Sequence, residues 1–509
     1  MTLKKKLTKN TLANYINYFI RIVVNFFLFP FIVHRLGVAE AGIWFLLSSV
    51  SGYLELLDLG IKPTLVKHVA QYNSKKDKKS IIEVVNATFF IFLITGVIAA
   101  IGMVVVGFFF PQIFNISPDL AQTAQICVFI VAGALLFSFP LSAVGGGILN
   151  GLQRYDKTRT AGIFSTLSGA LATVVLLTQG FGVIALVAAD QITNLLSWFL
   201  TIYYAKKLAP YIKIKIKYLK REVIKKIFKF SWRIFAMELS SQAIYYTDRI
   251  VIGIFLDVGK IVIYEAASKI CRFIARIPNL LASAMMPASS ELHTKNDRKT
   301  IKKMYVLTTK YIIALALAMA IPVMIFTKSI LVAWVGIEFE EAAGLARIIL
   351  ISILFVLNHS AAMQILIGMG KIRSITRYQV MIAIANLTLS IILIKIFGLI
   401  GVVLGTMIPF VIFEFFYLRK SFAVIKVRLK EYFKKVLVRT YGPALIVLTP
   451  SIILSFYYSP TRIREVIILL LVHFAVYGLL FYFLGLAKAE RSELFSLFKS
   501  YLRTKNKTT

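Results

Sequence analysis

The sequence predicts an all-α polytopic membrane protein, with 14 transmembrane helices arranged as two parallel six-helix lobes plus two C-terminal helices. Three observations predict it. Apolar stretches of about 20 residues recur along the whole chain, as membrane-crossing helices require. Lys and Arg are divided unequally between alternate loops. The second half of the chain repeats the first.

Composition sets the class. The chain has 509 residues, is 59% hydrophobic and has a mean hydropathy of +0.80, which excludes an ordinary soluble domain. Its net charge of +36 would suggest nucleic acid in a soluble protein. Here the basic residues lie mostly in short loops between spans, and no basic groove with interleaved aromatics is present. Cys127 and Cys271 both fall in apolar segments and imply neither a disulfide framework nor a metal site. No cofactor is expected.

The spans are read at 12–35, 41–66, 81–110, 121–149, 160–179, 183–205, 230–256, 262–291, 304–327, 341–369, 375–396, 400–418, 436–457 and 465–486. The basic N-terminus MTLKKKLTKN leads into a full-length span and reads as a retained first helix, not a signal peptide. One set of alternate loops, with the termini, holds about 42 of the 59 Lys and Arg, and the other about six, so the positive-inside rule places both termini and the basic loops in the cytoplasm. The linker 206–229 is the most basic of these. It alternates apolar and basic residues and then turns amphipathic. Two readings stand, a strip lying on the anionic inner leaflet and a solvated connector.

The repeat has an offset of about 220 residues. KKDKKSI (75–81) matches KNDRKTI (295–301), LGVAEAGIW (36–44) matches LDVGKIVIY (256–264), and GFGVIAL (180–186) aligns with IFGLIGV (396–402). Six spans return the chain to its starting side, so the halves are expected to be parallel. The domains follow: an N-lobe over 1–205, the linker 206–229, a C-lobe over 230–420, and residues 421–509 carrying the last two helices and a basic tail. Folds of this kind place substrate between the lobes and alternate access by rocking.

Charged residues inside spans are costly and mark candidate sites. Span 8 carries Glu265, Lys269, Arg272 and Arg276 at i, i+4, i+7 and i+11, all on one helical stripe. This reads as an anion-binding wall with Glu265 as the local partner of Lys269. Arg272 and Arg276 lie roughly 15–21 Å in from the span's end at helical rise, too deep to snorkel easily. The first-half counterparts of Lys269, Arg272 and Arg276 are Ser49, Gly52 and Leu56, so the scaffold is duplicated and the charge is not. Span 1 has Arg21, with Asn17 and Asn25 a turn away on either side. Span 2 carries Glu55, Asp58 and Lys62 on one face. A carboxylate there is either a carrier of H+ or Na+ or half of an Asp58–Lys62 bridge that holds the helix. In span 7, Asp248 and Arg249 are adjacent and point to different sides, so each needs an external partner. Its run including Gln242, Tyr245 and Tyr246 suits either sugar hydroxyls or interhelical packing. Arg347, His359, Glu414 and His473 read as structural hydrogen-bonders.

The segment LGVAEAGIWFLLSSVSGYLELLDLGIKPTLVKHVAQY (36–72) resembles the "lGxxxyGxw…dlGl…l…ya" pattern of O-antigen (Wzx-type) polysaccharide flippases. These belong to the multidrug/oligosaccharidyl-lipid/polysaccharide exporter superfamily, and the resemblance extends over the whole chain as 6+6+2 spans. It implies export of a polyprenyl-pyrophosphate-linked oligosaccharide across the plasma membrane of a prokaryote, by a monomer working beside a polymerase and glycosyltransferases. It also implies a cationic central cavity lined by spans 1, 2, 7 and 8, where Arg21, Lys62, Arg249, Lys269, Arg272 and Arg276 stand. Glu55, Asp58 and Glu265 are then the candidates for coupling to H+ or Na+. Two rivals remain at this stage. A multidrug/cation extruder should have an acidic, aromatic site. A membrane glycosyltransferase or polymerase should carry carboxylates on a sizeable outer loop, and the loops at 111–120 and 328–340 are short. There is also no glycine-rich phosphate loop preceding Lys-Ser/Thr, so the chain is expected to be a transporter and not an enzyme.

Overall fold

The fold was read from a computed structural model. It describes the backbone of residues 3–492 and 496 and, within these, the side chains except at 3–15, 55, 230, 233–234, 236–237, 240–241, 243–245 and 372–374. Helix α1 (Leu3–Leu54) carries span 1 and most of span 2, and turns between them at Gly37. That residue has φ 76° and ψ 170°, a backbone region essentially closed to residues with a Cβ. Span 2 is not the continuous helix predicted over 41–66. A 3₁₀ turn (Glu55–Asp58) is followed by left-handed Leu59 and Gly60, and α2 (Ile61–Ser74) starts anew. The Asp58 carboxylate makes the break tenable. Its Oδ1 accepts the N–H groups of Ile61 (2.8 Å) and Lys62 (2.9 Å), which a fresh helix start leaves without carbonyl partners.

Four long helices complete the first set of six spans: α3 (Lys78–Ile113), α4 (Pro118–Gly151), α5 (Tyr155–Thr178) and α6 (Val183–Leu208). After the linker come α7 (Arg221–Phe255) and α8 (Val258–Ser283). Span 8 is also divided, since α8 gives way to a separate α9 (Met285–Thr294). The chain continues through α10 (Arg298–Ile325), the short α11 (Thr327–Val335), α12 (Ala342–Gly368), α13 (Ile372–Phe397) and α14 (Leu399–Ile425). It ends with α15 (Leu429–Tyr432), which a π turn joins to α16 (Val438–Tyr457), and with α17 (Ile463–Leu480). Among the described residues, 11 helical runs are long and apolar enough to cross a membrane. The first of them, Ile16–Asp58, holds two predicted spans around Gly37, and α7 and α8, at 35 and 26 residues, supply the more polar ones. The fourteen predicted spans are thus all helical.

The duplication recurs in local geometry. Lys76 and Asn296 are both left-handed, with φ of 57° and 54°. The aspartates that follow cap the next helix in the same way: Asp77 Oδ1 accepts Ser80 N–H and Asp297 Oδ1 accepts Thr300 N–H, both at 3.0 Å. Hydrogen bonds from Ser80 and Thr300 hold both carboxyls below the usual carboxylate range.

The chain forms two compact units: Met1–Tyr264 with Leu387–Val402, and Glu265–Asn386 with Val403–Thr509. This division differs from the boundary drawn at the 206–229 linker, because α7 packs on α1, α2 and α3 within the first unit. The linker itself is pinned. Asn86 donates to Lys213 O (2.9 Å) and accepts from Lys215 N (2.7 Å), while Lys220 pairs with Glu83 at 2.6 Å. It is therefore an edge bound to the start of α3 rather than a plain connector, and it keeps Lys215, Lys217 and Ile216 exposed.

The 36–44 motif is the stitching of the first unit. Glu40 Oε2 accepts the N–H of Val183 at 2.9 Å and so caps α6. A Cβ on Gly42 would lie 2.2 Å from the carbonyl oxygen of Val258, so only glycine lets these backbones meet. In the second unit, Tyr305, Phe422 and Tyr432 form the centre of an aromatic and aliphatic core.

Two outcomes follow. Gly42→Leu should cost about 3 kcal/mol or more by overpacking against backbone that has nowhere to go, read as loss of monodisperse protein in detergent. Asp297→Ala should lower the thermal midpoint at neutral pH. Because the folded carboxyl titrates below the unfolded one, its contribution is complete above about pH 4 and lost as pH falls through the folded value, so the gap to the parent should close in acid.

Candidate functional site

The first unit holds an open cavity of about 830 Å³. Among the described residues, its charged lining is Arg21 from α1, Lys62 from α2, Arg159 from α5 and Asp190 from α6, with Trp44 and Trp198 as aromatic walls. Three cations therefore face one carboxylate, and that carboxylate is engaged, because Trp44 Nε1 donates to Asp190 Oδ2 at 3.1 Å. Lys62 reaches the site from the first turn of α2. Its ammonium lies 3.8 Å from Asp58 Oδ2 and 6.0 Å from the Phe139 ring centroid. Serines 48, 51, 138 and 142 add hydroxyls to the lining. A space with this balance attracts an anion that brings its own hydrogen-bond acceptors, since guanidinium groups offer donors and no acceptor.

Arg21 and Lys62 were legible in the sequence, and the structure brings them to this one cavity. Arg159, Asp190 and Trp44 were not singled out. Arg159 was counted with a cytoplasmic loop, whereas α5 begins at Tyr155 and carries it into the lining. Asp190 is a lone carboxylate in the apolar run VIALVAADQITNLL, a signal that could have found it. Asp58, a coupling candidate, is buried and serves as the cap of α2 and partner of Lys62.

Helix α7 places Asp248 and Arg249 on different sides, as adjacency demands. Asp248 is 2% exposed and accepts the Tyr264 hydroxyl at 2.7 Å. Arg249 donates to Ser49 Oγ at 3.0 Å and lies 5.8 Å from the centroid of the Tyr246 ring. Tyr246 in turn sits 6.1 Å from Tyr53, whose hydroxyl is hydrogen-bonded to Thr247. Gln242 is half-buried. The side chains of Glu55 and Tyr245, also candidates, lie outside the described residues.

In the second unit, α8 carries the charged stripe. Glu265 is 1% exposed, and its Oε2 takes Arg272 Nη2 at 2.7 Å. The sequence reading paired Glu265 with Lys269 one turn on; the structure shows a bridge from Arg272, two turns on. The arginine side chain is long enough to span i to i+7. Lys269 is half-buried and Arg276 exposed.

The Glu265–Arg272 pair alters how substitutions on α8 act. Arg272→Ala removes a partner of a buried carboxylate, and it should cost about 1–3 kcal/mol of stability, reduced from the fully buried range because Arg272 is 34% exposed. Glu265→Gln combined with Arg272→Ala should recover part of that loss, read as a coupling energy in a double-mutant cycle of thermal stability.

With the geometry in view, comparisons with known proteins place the chain. The profile of a family of polysaccharide biosynthesis proteins matches residues 36–344. No curated protein sequence is a significant match. Among solved structures, the lipid II flippase MurJ in an inward closed conformation has a TM-score of 0.73 at 15% identity, covering 93% of this chain and 98% of that one. An inward-facing multidrug-resistance MATE transporter of the MOP superfamily has a TM-score of 0.69 at 16% identity, covering 80% and 96%. A MOP superfamily transporter from Pyrococcus furiosus, described by a binding pocket of reverse polarity, has a TM-score of 0.56 at 16% identity, covering 84% and 96%. At these identities the likeness is one of fold. The profile match spans more than half the sequence, and so the chain belongs to the family of polysaccharide biosynthesis proteins, on the fold of these membrane transporters.

Proposed function

We propose that this protein flips a polyprenyl-pyrophosphate-linked oligosaccharide, a polysaccharide repeat unit, from the cytoplasmic to the outer leaflet by alternating access coupled to H+ or Na+. The observation that carries the reading is the cationic cavity of the first unit, with Arg21, Lys62 and Arg159 set against one engaged carboxylate. The family membership and the fold shared with a lipid II flippase support it. In this reading the three cations take the pyrophosphate through charge-assisted hydrogen bonds. Trp44, Trp198 and the serines meet sugar faces and hydroxyls. The polyprenyl tail stays in lipid, where its transfer to water is never required. Arg249 is a further cation of the first unit, and Lys269, Arg272 and Arg276 are the anion-binding candidates of the second. An inside-negative potential favours outward movement of an anion by about 2.3 kcal/mol per charge per 100 mV.

The setting is a prokaryotic plasma membrane with both termini cytoplasmic, argued from the Lys/Arg distribution. The protein acts as a monomer without catalysing covalent chemistry. It works beside glycosyltransferases that build the unit and a polymerase that uses it. A second reading has one observation in its favour, since Asp190 flanked by Trp44 and Trp198 could accept an organic cation. The three cations around it weigh against that reading, because like charge within one cavity repels such a ligand.

The test is flipping of a fluorescent pyrophosphate-linked oligosaccharide in proteoliposomes. Arg21→Gln and Arg159→Gln should each slow it by about ten- to a hundredfold, the worth of one hydrogen bond to a charged group, with protein levels unchanged. Unaltered flipping in both would overturn the cationic-site reading. Transport of organic cations with none of the lipid-linked anion would favour the extruder.

A further inference from the structure

The second unit holds a cluster of titratable groups that the proposed anion path does not use. His359 of α12 is hydrogen-bonded through Nδ1 to Glu414 Oε2 of α14. Glu414 is 4% exposed. Among the described residues its other oxygen, Oε1, has no hydrogen-bond partner, and neither has the buried hydroxyl of Tyr417, one turn along the same helix. The imidazole and the Tyr417 ring lie with centroids 4.7 Å apart. A carboxylate so enclosed, with one oxygen held by imidazole and the other left open, is an uncommon arrangement in a packed lobe.

Among the described residues, His359 is the one charged neighbour of this acid. From α10 comes Tyr305, from α13 Tyr378, whose ring is 5.6 Å from that of Tyr417, and from α15 Tyr432, which donates to Asn358 Oδ1 at 2.9 Å. Tyr441 of α16 lies behind Tyr432. The basic side chain on this side is Lys420, 5.9 Å from the Tyr378 ring and exposed to the outside of the cluster. Tyrosine hydroxyls are neutral at physiological pH. Among the described residues, the charge state of the cluster is thus set by His359 and Glu414.

We infer that the His359–Glu414 pair is a proton-binding site, and that its occupancy couples the second unit to a proton gradient. Neutral imidazole with ionised Glu414 carries one negative charge. One added proton makes the pair neutral, whichever of the two groups holds it, and a buried site of this kind favours the neutral form. The lobe can therefore pack closed with the proton bound, and it releases the proton to water only when Glu414 becomes hydrated. The ligand is a proton and not an alkali cation, because the group that faces the carboxylate is an imidazole, which takes up a proton and repels a metal cation once it has done so. The coupling role rests on the transport reading above, and proton binding itself does not.

The experiment uses the full chain in neutral-lipid nanodiscs. Infrared difference spectra between about pH 5 and about pH 8, the range in which imidazole and buried carboxyls titrate, should show a protonated-carboxyl band that Glu414→Gln lacks. Identical spectra in the two proteins would overturn the site. Should Glu414→Gln fail to fold, His359→Gln keeps the acid and must move the midpoint of the band by about one pH unit; an unmoved midpoint overturns the pairing. In proteoliposomes an imposed proton gradient should accelerate flipping several-fold in the parent and not in Glu414→Gln, while gradient-free exchange persists. Equal acceleration in both, or acceleration by a sodium gradient that Glu414→Gln abolishes, overturns proton coupling here. If the parent flips no lipid-linked saccharide at all, the transport reading fails and the infrared result still decides the proton site.

Discussion

The constraint on which this structure depends is that a membrane interior leaves polar groups no water to turn to. Every backbone amide must find a partner inside its own helix or a capping group, and every charge must find a counter-charge or a cavity. The first demand makes the membrane-crossing runs helical. The second decides where the helices can break. Span 2 breaks at Leu59 and Gly60 because Asp58 is there to take the two N–H groups that the break exposes. The same demand accounts for the buried Lys310 being met by Glu490 beyond the last span, and for Asp248 being met by the Tyr264 hydroxyl.

Duplication supplied a scaffold, and the site was built by departing from it. The capping turns at Asp77 and Asp297 match in backbone conformation and in the bond each aspartate makes, since a turn that opens a helix is under the same demands in either half. The intramembrane groups do not match. Where α8 has Lys269, Arg272 and Arg276, the first half has Ser49, Gly52 and Leu56. Ser49 and Gly52 instead serve α7. Ser49 accepts Arg249, and Gly52 leaves room for the Tyr246 ring, which a Cβ there would approach to 2.5 Å. Positions that hold charge in one half hold the space and hydroxyls that another helix needs in the other.

Most of the fold was legible because helices in lipid announce themselves by length and apolarity, and the loops by charge. Arg21 and Lys62 were legible for the same reason, as charges where charge is costly. What stayed hidden was whatever depends on distant contact. Arg159 looks like a loop cation until α5 is seen to begin four residues earlier. Glu40 and Trp44 read as letters of a motif, and their work, capping α6 and holding Asp190, lies some 140 residues away in the chain. The breaks at Leu59–Gly60 and Ala284 were hidden because a hydropathy window averages over a turn. His359 and Glu414 were read as separate structural polar residues, since nothing in their 55-residue separation says that they meet.

The stripe on α8 gains a physical meaning from its one acid. If the proposed function holds, three cations without Glu265 would bind a pyrophosphate tightly, and a transporter that binds too well does not release. With Glu265 buried beside Arg272, the guanidinium already has a partner, and any anion that recruits it must compete with a carboxylate 2.7 Å away. The energy gained on binding is then the difference between two similar charge-assisted contacts, not the whole of one. The first unit is arranged on the same principle, with Lys62 leaning on Asp58 while it faces the cavity. On the proposed function, cations that arrive already paired bind an anion less tightly than free ones would, and so release it more readily.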